Sequence, residues 1–428
     1  MRLLPSAVHI AIGSILLGTV LIAPAAAQAV KIHVKAGDHD CTDALVSFAV
    51  PASLQGQSPL RLIELATSGE AAGKETSAKE SPIPAQLDAA SGQLWFVARG
   101  KLPAGQQRTF RLERGEPQKF ASIAIVESDE AIQVRYQDAP LLQYNKAHVE
   151  PAAGINTKYG RSGHIHPVRT LNGAVVTDEL PPDHLHQSGI FLSFTKTSFE
   201  DREVDFWNLA GGKGRVRFKS DHIGTSGPLF ASFQTEQEHV DLTADNEKGE
   251  IGKTSGGKVA LVETWNVLAW NPNASAGYWI FDVESSMRCA TNSPLKLPEY
   301  HYGGMAIRAA RPWVPKAVTF LTSEGADRLK GNHTRAKWCD IQGAVDGHEA
   351  GIALFTNPQN FRFPEPLRIH GTMPYMVFTP SFLGDWEITP GNIHRARYRF
   401  VVHDGKLSPE TLEQLWQNYA QPLVAVAE

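Results

Sequence analysis

The densest chemistry in this 428-residue chain lies in LPPDHLHQSGIF, residues 180–191, where Asp183, His184 and His186 fall within four positions. Just upstream, GHIHP (163–167) repeats the His-x-His spacing with His164 and His166. Imidazole both gives and takes protons near neutral pH, and it is the commonest metal ligand. Residues two apart on a strand face the same side. Pro167 favours an extended His166, so GHIHP should present His164 and His166 together. The same reading of DHLH presents His184 and His186, with Leu185 turned to the core and Asp183 at the edge, able to orient a ring. Two such strand ends facing each other would gather four imidazoles around one cavity. That arrangement suits direct acid–base catalysis. If a divalent metal is held instead, the same four histidines are its expected ligands, although His-x-His alone is a weak metal signal and no HExxH pattern occurs.

Several further clusters combine polar and aromatic residues. KYGRSG (158–163) supplies Tyr159 and Arg161, and REVDFWN (202–208) supplies Asp205, Trp207 and Asn208. PEYHYGG (298–304) brings Glu299, Tyr300, His301 and Tyr302, with glycines that would let a ligand approach the backbone. HTRAKWCD (333–340) contains Arg335, Lys337, Trp338 and Asp340, and NFRFPEP and RIHGTMPY add Phe361, Arg362 and His370. A sugar-binding cleft needs such a set: the apolar face of a pyranose stacks on aromatic rings, and its hydroxyls take directional hydrogen bonds.

The expected division of labour is therefore proton transfer by His164, His166, His184, His186 and His301 with Tyr159 and Arg161. Substrate contacts are expected from Asp183, Asp205, Trp207, Asn208, Tyr300, Tyr302, Arg335 and Trp338. Trp207 and Trp338 suit a core as well as a platform. Lyase or epimerase chemistry fits a base that removes a proton beside a carbonyl, with Arg161 or Arg335 stabilising the enolate. Hydrolysis needs two carboxylates about 5–10 Å apart, and Asp183, Asp205, Glu299 and Asp340 keep it open. A non-catalytic glycan-binding protein is the alternative of a different class. The sequence has no GxSxG elbow, P-loop or Rossmann glycine pattern, which argues against hydrolases of the α/β type, NTPases and dehydrogenases.

The elements that must position these residues are strands. AIQVRYQD puts Ile132, Val134 and Tyr136 on one face, and ARYRFVVHD does the same with Tyr398, Phe400 and Val402. VALVETWNVLAW and YWIFDVESSMRC are longer strands, with SDE (128–130) and NPNASAG (271–277) as hairpin turns. Stretches 69–81 and 245–258 read as exposed loops. One helix is well signed at 408–419: Ser408 caps, Pro409 opens, and Leu412, Leu415, Trp416 and Tyr419 share a face. The predicted fold is mainly β. A small N-terminal β-sandwich at 28–118, built from KIHV, ALVSFAV, LRLIEL, QLWFVAR and RTFRLER, precedes a large antiparallel domain at 119–428 that carries the histidines and the helix.

Residues 1–27 read as a secretory leader, with Arg2, an apolar run from Ile10 to Ile22, and Ala25-Ala26-Ala27 before the cut. The expected mature protein is periplasmic or secreted. No later segment approaches the roughly 20 apolar residues of a membrane span. Without Arg2 the formal net charge moves from -4 to -5, which suggests neither nucleic-acid nor membrane-surface binding. Three cysteines, Cys41, Cys289 and Cys339, allow at most one disulfide in an oxidising compartment.

At its motifs the chain resembles a bacterial family of exported proteins labelled methane oxygenase PmoA-like. The resemblance rests on KYGRSGHIHPVRTLNGAVVTDELPPDHLHQSGIF, EVDFWNL, YHYGGMAIR, HTRAKWCD, PQNFRFPEPLRIH and RYRFVVHDG, spanning about 120–405. The label implies a metal-dependent oxygenase. The family pattern has a second His and an Arg after DHLH, where this chain has Gln187 and Ser188. The long strands and histidine-lined cleft are also similar to the β-supersandwich of sugar mutarotases and some polysaccharide lyases, a likeness of fold that does not fix function.

Overall fold

The computed structural model describes residues 29–56, 59–65, 81–89, 91–116, 118–244, 256–272 and 274–428. The leader expected at 1–27 lies outside the described residues, as does most of the two loops expected at 69–81 and 245–258. The described chain is mainly β, as its period-two patterning dictates.

All five N-terminal segments form strands of one eight-stranded sheet. Alternation is plain in Ala29–Lys35, where Val30, Ile32 and Val34 are buried. They pack with Val46, Phe96, Phe110 and Leu112 into a core of their own. The sheet is not made from residues 28–118 alone, however. The last strand, Leu423–Ala427, inserts between Ala29–Lys35, antiparallel, and Cys41–Ala49, parallel. LVAVA is too short to register as a patterned strand beyond the C-terminal helix, so its place in the first sheet was not visible from sequence.

The larger region, with a small four-stranded sheet of Arg202–Val204, Thr197–Phe199, Leu295–Leu297 and Trp386–Ile388, is a sandwich of two large sheets. One has nine strands in the order Thr334–Ala336, Glu365–Ile369, Tyr375–Phe378, Gly304–Arg308, Ile190–Ser193, His164–Val168, Ala139–Asn145, Ala131–Tyr136 and Ile123–Glu127. The other has eight, from Gly214–Ile223 through the long strands Lys258–Trp270, Tyr278–Cys289 and His394–Asp404 to Val318–Thr322. Between them Ile190, Leu192, Ile307 and Phe378 of the first sheet meet Trp265, Phe281, Phe400 and Val402 of the second. Phe281 and Phe400 stack with centroids 4.6 Å apart. Truncating either ring to Ala would cost about 3–5 kcal/mol. Both expected hairpins form, Ile123–Glu127 with Ala131–Tyr136 and Lys258–Trp270 with Tyr278–Cys289.

The C-terminal helix runs Pro409–Ala420, with Ser408 Oγ accepting from Thr411 N at 3.2 Å. Leu412 and Leu415 pack on Tyr278, Phe355 and Val401, the outer side of the eight-stranded sheet. Asn418 donates to Thr42 O at 2.7 Å, tying the helix to the N-terminal sheet as well. Trp338 belongs to this interface and not to a substrate platform. It is 2% exposed, and its Nε1 donates to Glu413 at 2.9 Å. Cys41, Cys289 and Cys339 are all free thiols, so the permitted disulfide is not formed. Among the described residues no helix is long and apolar enough to cross a membrane.

Candidate functional site

The site is built on the outer face of the nine-stranded sheet. Ile165 pairs with Ile190 and both point into the core, so His164 and His166 share the opposite face with Phe191. Continuing across the sheet, Phe191 pairs with Ala306 and Ala306 with Val377. These three and Trp207, Met373 and Tyr375 form a buried aromatic floor, with Tyr302 packed beside it.

The GHIHP half behaves as its sequence predicts. His164 is fully buried, and its Nε2 hydrogen-bonds to Glu179 Oε1 and faces Asn145 Nδ2 at 3.2 Å. Burial, reinforced by the Arg161 charge, holds this imidazole below its ordinary value despite Glu179. Burial also pushes the Glu179 carboxyl up, but its bond to His164 and the Arg161 charge outweigh that and keep it low. Only Glu179 retains solvent contact, so the pair rests as neutral imidazole and carboxylate. His166 Nδ1 lies 2.9 Å from Thr177 Oγ1, which already accepts from Val168 N at 3.0 Å. The Thr177 hydroxyl proton is free to donate to Nδ1, an arrangement that would put the proton of His166 on Nε2. Burial, with His164 adding to it, pushes His166 down to about 4.

The DHLH half departs from expectation. It is not a strand but two successive turns, closed by His184 N to Pro181 O at 3.0 Å and Gln187 N to His184 O at 2.9 Å. Glu179 and Ser188 form the bridge at the base of this loop. Leu185 is consequently half-exposed and not turned into the core. Arg308 clamps the loop, giving Nη1 to Gln187 Oε1 at 3.0 Å and Nη2 to both Asp183 oxygens at 2.9 and 3.1 Å. Gln187 thus has a positioning role that a protonated His could not fill beside Arg308. Gly189 permits the close return of the loop: it has φ +52, and a Cβ there would meet Ile165 O at 2.1 Å.

The turns still bring His184 and His186 together, with ring centroids 5.5 Å apart, and His370 joins them 5.8 Å from His184. His370 Nδ1 accepts from Thr372 N and Met373 N, both at 3.2 Å, which leaves its proton on Nε2. Burial lowers all three rings, and His186 and His370 fall to about 4. His186 has no hydrogen bond to either ring nitrogen among the described residues, and neither nitrogen is shut off from solvent. Arg161 joins the two halves. It is 6% exposed, sits 4.8 Å over the Phe191 ring, and donates Nη1 to His186 O at 3.2 Å.

The remaining candidates divide. Tyr302, His301 and Tyr300 form a ladder with centroids 4.6 and 4.4 Å apart, and Arg368 donates to the Tyr302 hydroxyl at 3.3 Å. Trp207 is a buried wall between Phe191 and Tyr302, not an open platform. Asp205 is consumed locally: Oδ1 accepts from the Trp207 and Asn208 amides, both at 2.8 Å, and Oδ2 from Thr195 and the Asn208 side chain. Asp205 is therefore not a free ligand contact, and Asn208, which is exposed, keeps only its side-chain oxygen unengaged. Tyr159 ends the short helix Thr157–Tyr159, which lies against Leu209–Gly211 just past Asn208. Arg335 is exposed and is engaged in holding the carbonyls of Arg362, Phe363 and Pro364. Arg362 likewise binds the carbonyls of Pro380, Gly384 and Asp385, and Phe361 packs on Trp386. Asp340 is buried in the other sheet with His403 at 3.2 Å. Gly304 serves strand packing, since a Cβ there would meet Phe378 O at 2.0 Å.

Among the described residues no three His, Cys, Asp or Glu side chains gather closely enough to hold a metal ion. The expected four-imidazole ligand set is not assembled, because Glu179 and Thr177 hold the first pair in place while the second stands on its own loop. Sequence reasoning missed Glu179, Thr177, Asn145 and Arg308. Glu179 and Thr177 carried a signal, standing in the same TDELPPDHLH run as the histidines.

Fold and site together define a two-sheet β-sandwich with a histidine- and arginine-lined outer face. Residues 131–417 match a family model described as "Family of unknown function (DUF6807)", and the chain belongs to that family. No curated protein matches the sequence. Among solved structures, the chain is similar to a protein in glycosyl hydrolase family 38 from Enterococcus faecalis, with TM-score 0.43 and 10% identity over 94% of this chain and 47% of that one. An alpha-mannosidase from Enterococcus faecalis V583 gives TM-score 0.40 and 10% identity over 94% and 46%. A heparan sulfate lyase from Pedobacter heparinus gives 0.34 and 9% over 69% and 38%. The chain spans half or less of the length of each.

Proposed function

We propose that this protein is an exported carbohydrate-active enzyme, of lyase or epimerase type, working on the outer face of the nine-stranded sheet. The observation that carries the reading is His186: a neutral imidazole with both ring nitrogens unengaged, beside the Arg161 guanidinium and an aromatic wall. Such a ring is ready to take a proton from a carbon next to a carbonyl. Arg161 has N–H groups left over to stabilise the oxygen that becomes negative. His370 and His166, each with its proton on Nε2, are donors for sugar oxygens. The leader at 1–27 supports export. Hydrolysis is less well served: Glu179 is bound by His164, Asp183 by Arg308, Asp205 by its own turn, and Asp340 lies in the other sheet.

Incubation with a panel of neutral and acidic glycans, glycosides and keto-sugars, read by mass and by proton exchange from solvent, tests the proposal. Elimination or isomerisation by the wild type and not by His186→Gln is the expected result. Addition of water would move the reaction to hydrolysis. Binding without turnover would make the protein a glycan-binding module, and neither binding nor turnover would overturn the reading.

A further inference from the structure

Arg161 and Ser162 line a second cavity of about 190 Å³, together with Lys146, His148, Arg215 and Arg217. Three of its basic residues have carboxylates of their own. Lys146 pairs with Glu127 at 2.7 Å and Asp221 at 3.4 Å, Arg217 with Glu238 at 2.7 Å, and His148 faces Glu150 at 3.3 Å. Among the described residues Arg161 and Arg215 have none. Arg215 is 7% exposed, its side chain makes no hydrogen bond or ion pair with any described residue, and its Nε is buried without a partner. Arg161 is 6% exposed, spends one N–H on His186 O, and likewise leaves Nε buried and unpartnered. Burying one unpaired guanidinium is strongly unfavourable. Two at a single cavity, within a ring of further cations, mark a place that an anion completes.

We propose that this cavity is an oxyanion-binding site, with Arg215 as its principal ligand and Lys146, Arg161 and His148 around it. The planar fork of arginine matches carboxylate, sulfate and phosphate oxygens in pairs. The volume suits one such group and is below the roughly 300–1,000 Å³ of pockets that enclose a whole small molecule. The anion has two sources: a free inorganic ion, or an acidic substituent on the glycan bound across Arg161, the second resting on the carbohydrate reading above. Burial lowers the titration point of both arginines, and both remain cationic at neutral pH.

Calorimetric titration and thermal melts with sulfate, phosphate and acetate, against chloride at constant ionic strength, test the site in the intact protein. At about ten times Kd the wild-type Tm should rise by about 2 °C. Arg215→Met should weaken binding by about tenfold or more, and Arg215→Lys should keep part of it. In chloride, Arg215→Met should melt no lower than wild type, because it removes an unpaired buried charge, so its lost response is not unfolding. Should that variant fail to fold, the intermediate affinity of Arg215→Lys carries the test. Tighter binding of a uronic acid or a sulfated sugar than of the free ion assigns the source to the glycan. Equal binding assigns it to the free ion and leaves the site intact even where no glycan is turned over. No response to any of the three anions, or an unchanged response in Arg215→Met, overturns the proposal.

Discussion

His166 should make the protein less stable as the solution becomes mildly acidic, and the size of the effect follows from its setting. An unfolded chain protonates this ring near 6.5, whereas burial holds it at about 4 in the folded protein. Between those values the unfolded state binds more protons. Stability therefore falls as pH drops through 6.5 and levels off only near 4. One pKa unit is worth about 1.4 kcal/mol, so the full difference between pH 7 and pH 5 is about 2 kcal/mol. The ring is half-buried, and screening by solvent reduces this to about 1 kcal/mol. His166→Asn removes the titration while leaving a polar partner for Thr177. His186, His370 and His394, also near 4, act in the same direction. Glu365 acts oppositely: burial raises it to about 7, so its contribution is present at low pH and lost as pH rises through 7. These groups are common to both proteins and cancel in the difference. Urea unfolding followed by tryptophan fluorescence at pH 7 and pH 5 should show the wild type losing about 1 kcal/mol more than the variant. Equal losses would mean that His166 is not held neutral, and the argument for its role as a neutral donor would go with it.

Glu179→Gln should retain a hydrogen bond to His164 and cost about 1 kcal/mol in stability, while lowering any turnover by about tenfold or more in a steady-state assay. His186→Gln should lower turnover by about 10²-fold with an unchanged melting temperature. Arg308→Met should release the 180–187 loop from Asp183 and Gln187, seen as faster amide exchange confined to that loop. Trp338→Phe should cost about 1–2 kcal/mol through its lost bond to Glu413 and leave ligand binding untouched.

What could be read from the sequence, and what could not, separates along one physical line. A period-two pattern reports which face of a strand is buried, and that was enough to place His164 and His166 on one side of a sheet, to find the five N-terminal strands, and to cap the final helix at Ser408. The same rule failed at DHLH because Pro181-Pro182 before it and Gly189 after it build turns, and in a turn the alternation of faces no longer holds. The spacing nevertheless found the right residues, since a tight loop brings His184 and His186 as near to each other as a strand would have. What no local pattern carries is the partner from elsewhere in the chain. Arg308 is a strand residue whose neighbours Ile307 and Ala309 read as ordinary core, and nothing in GMAIR announces that its guanidinium grips loop residues 121 and 125 positions earlier. Yet without that grip Asp183 and Gln187 would have no anchor, and the ordering cost of the loop would fall on its own turns. The histidines are thus a local signal whose chemistry depends on distant cations: Arg308 fixes the loop, and Arg161 links it to the strand.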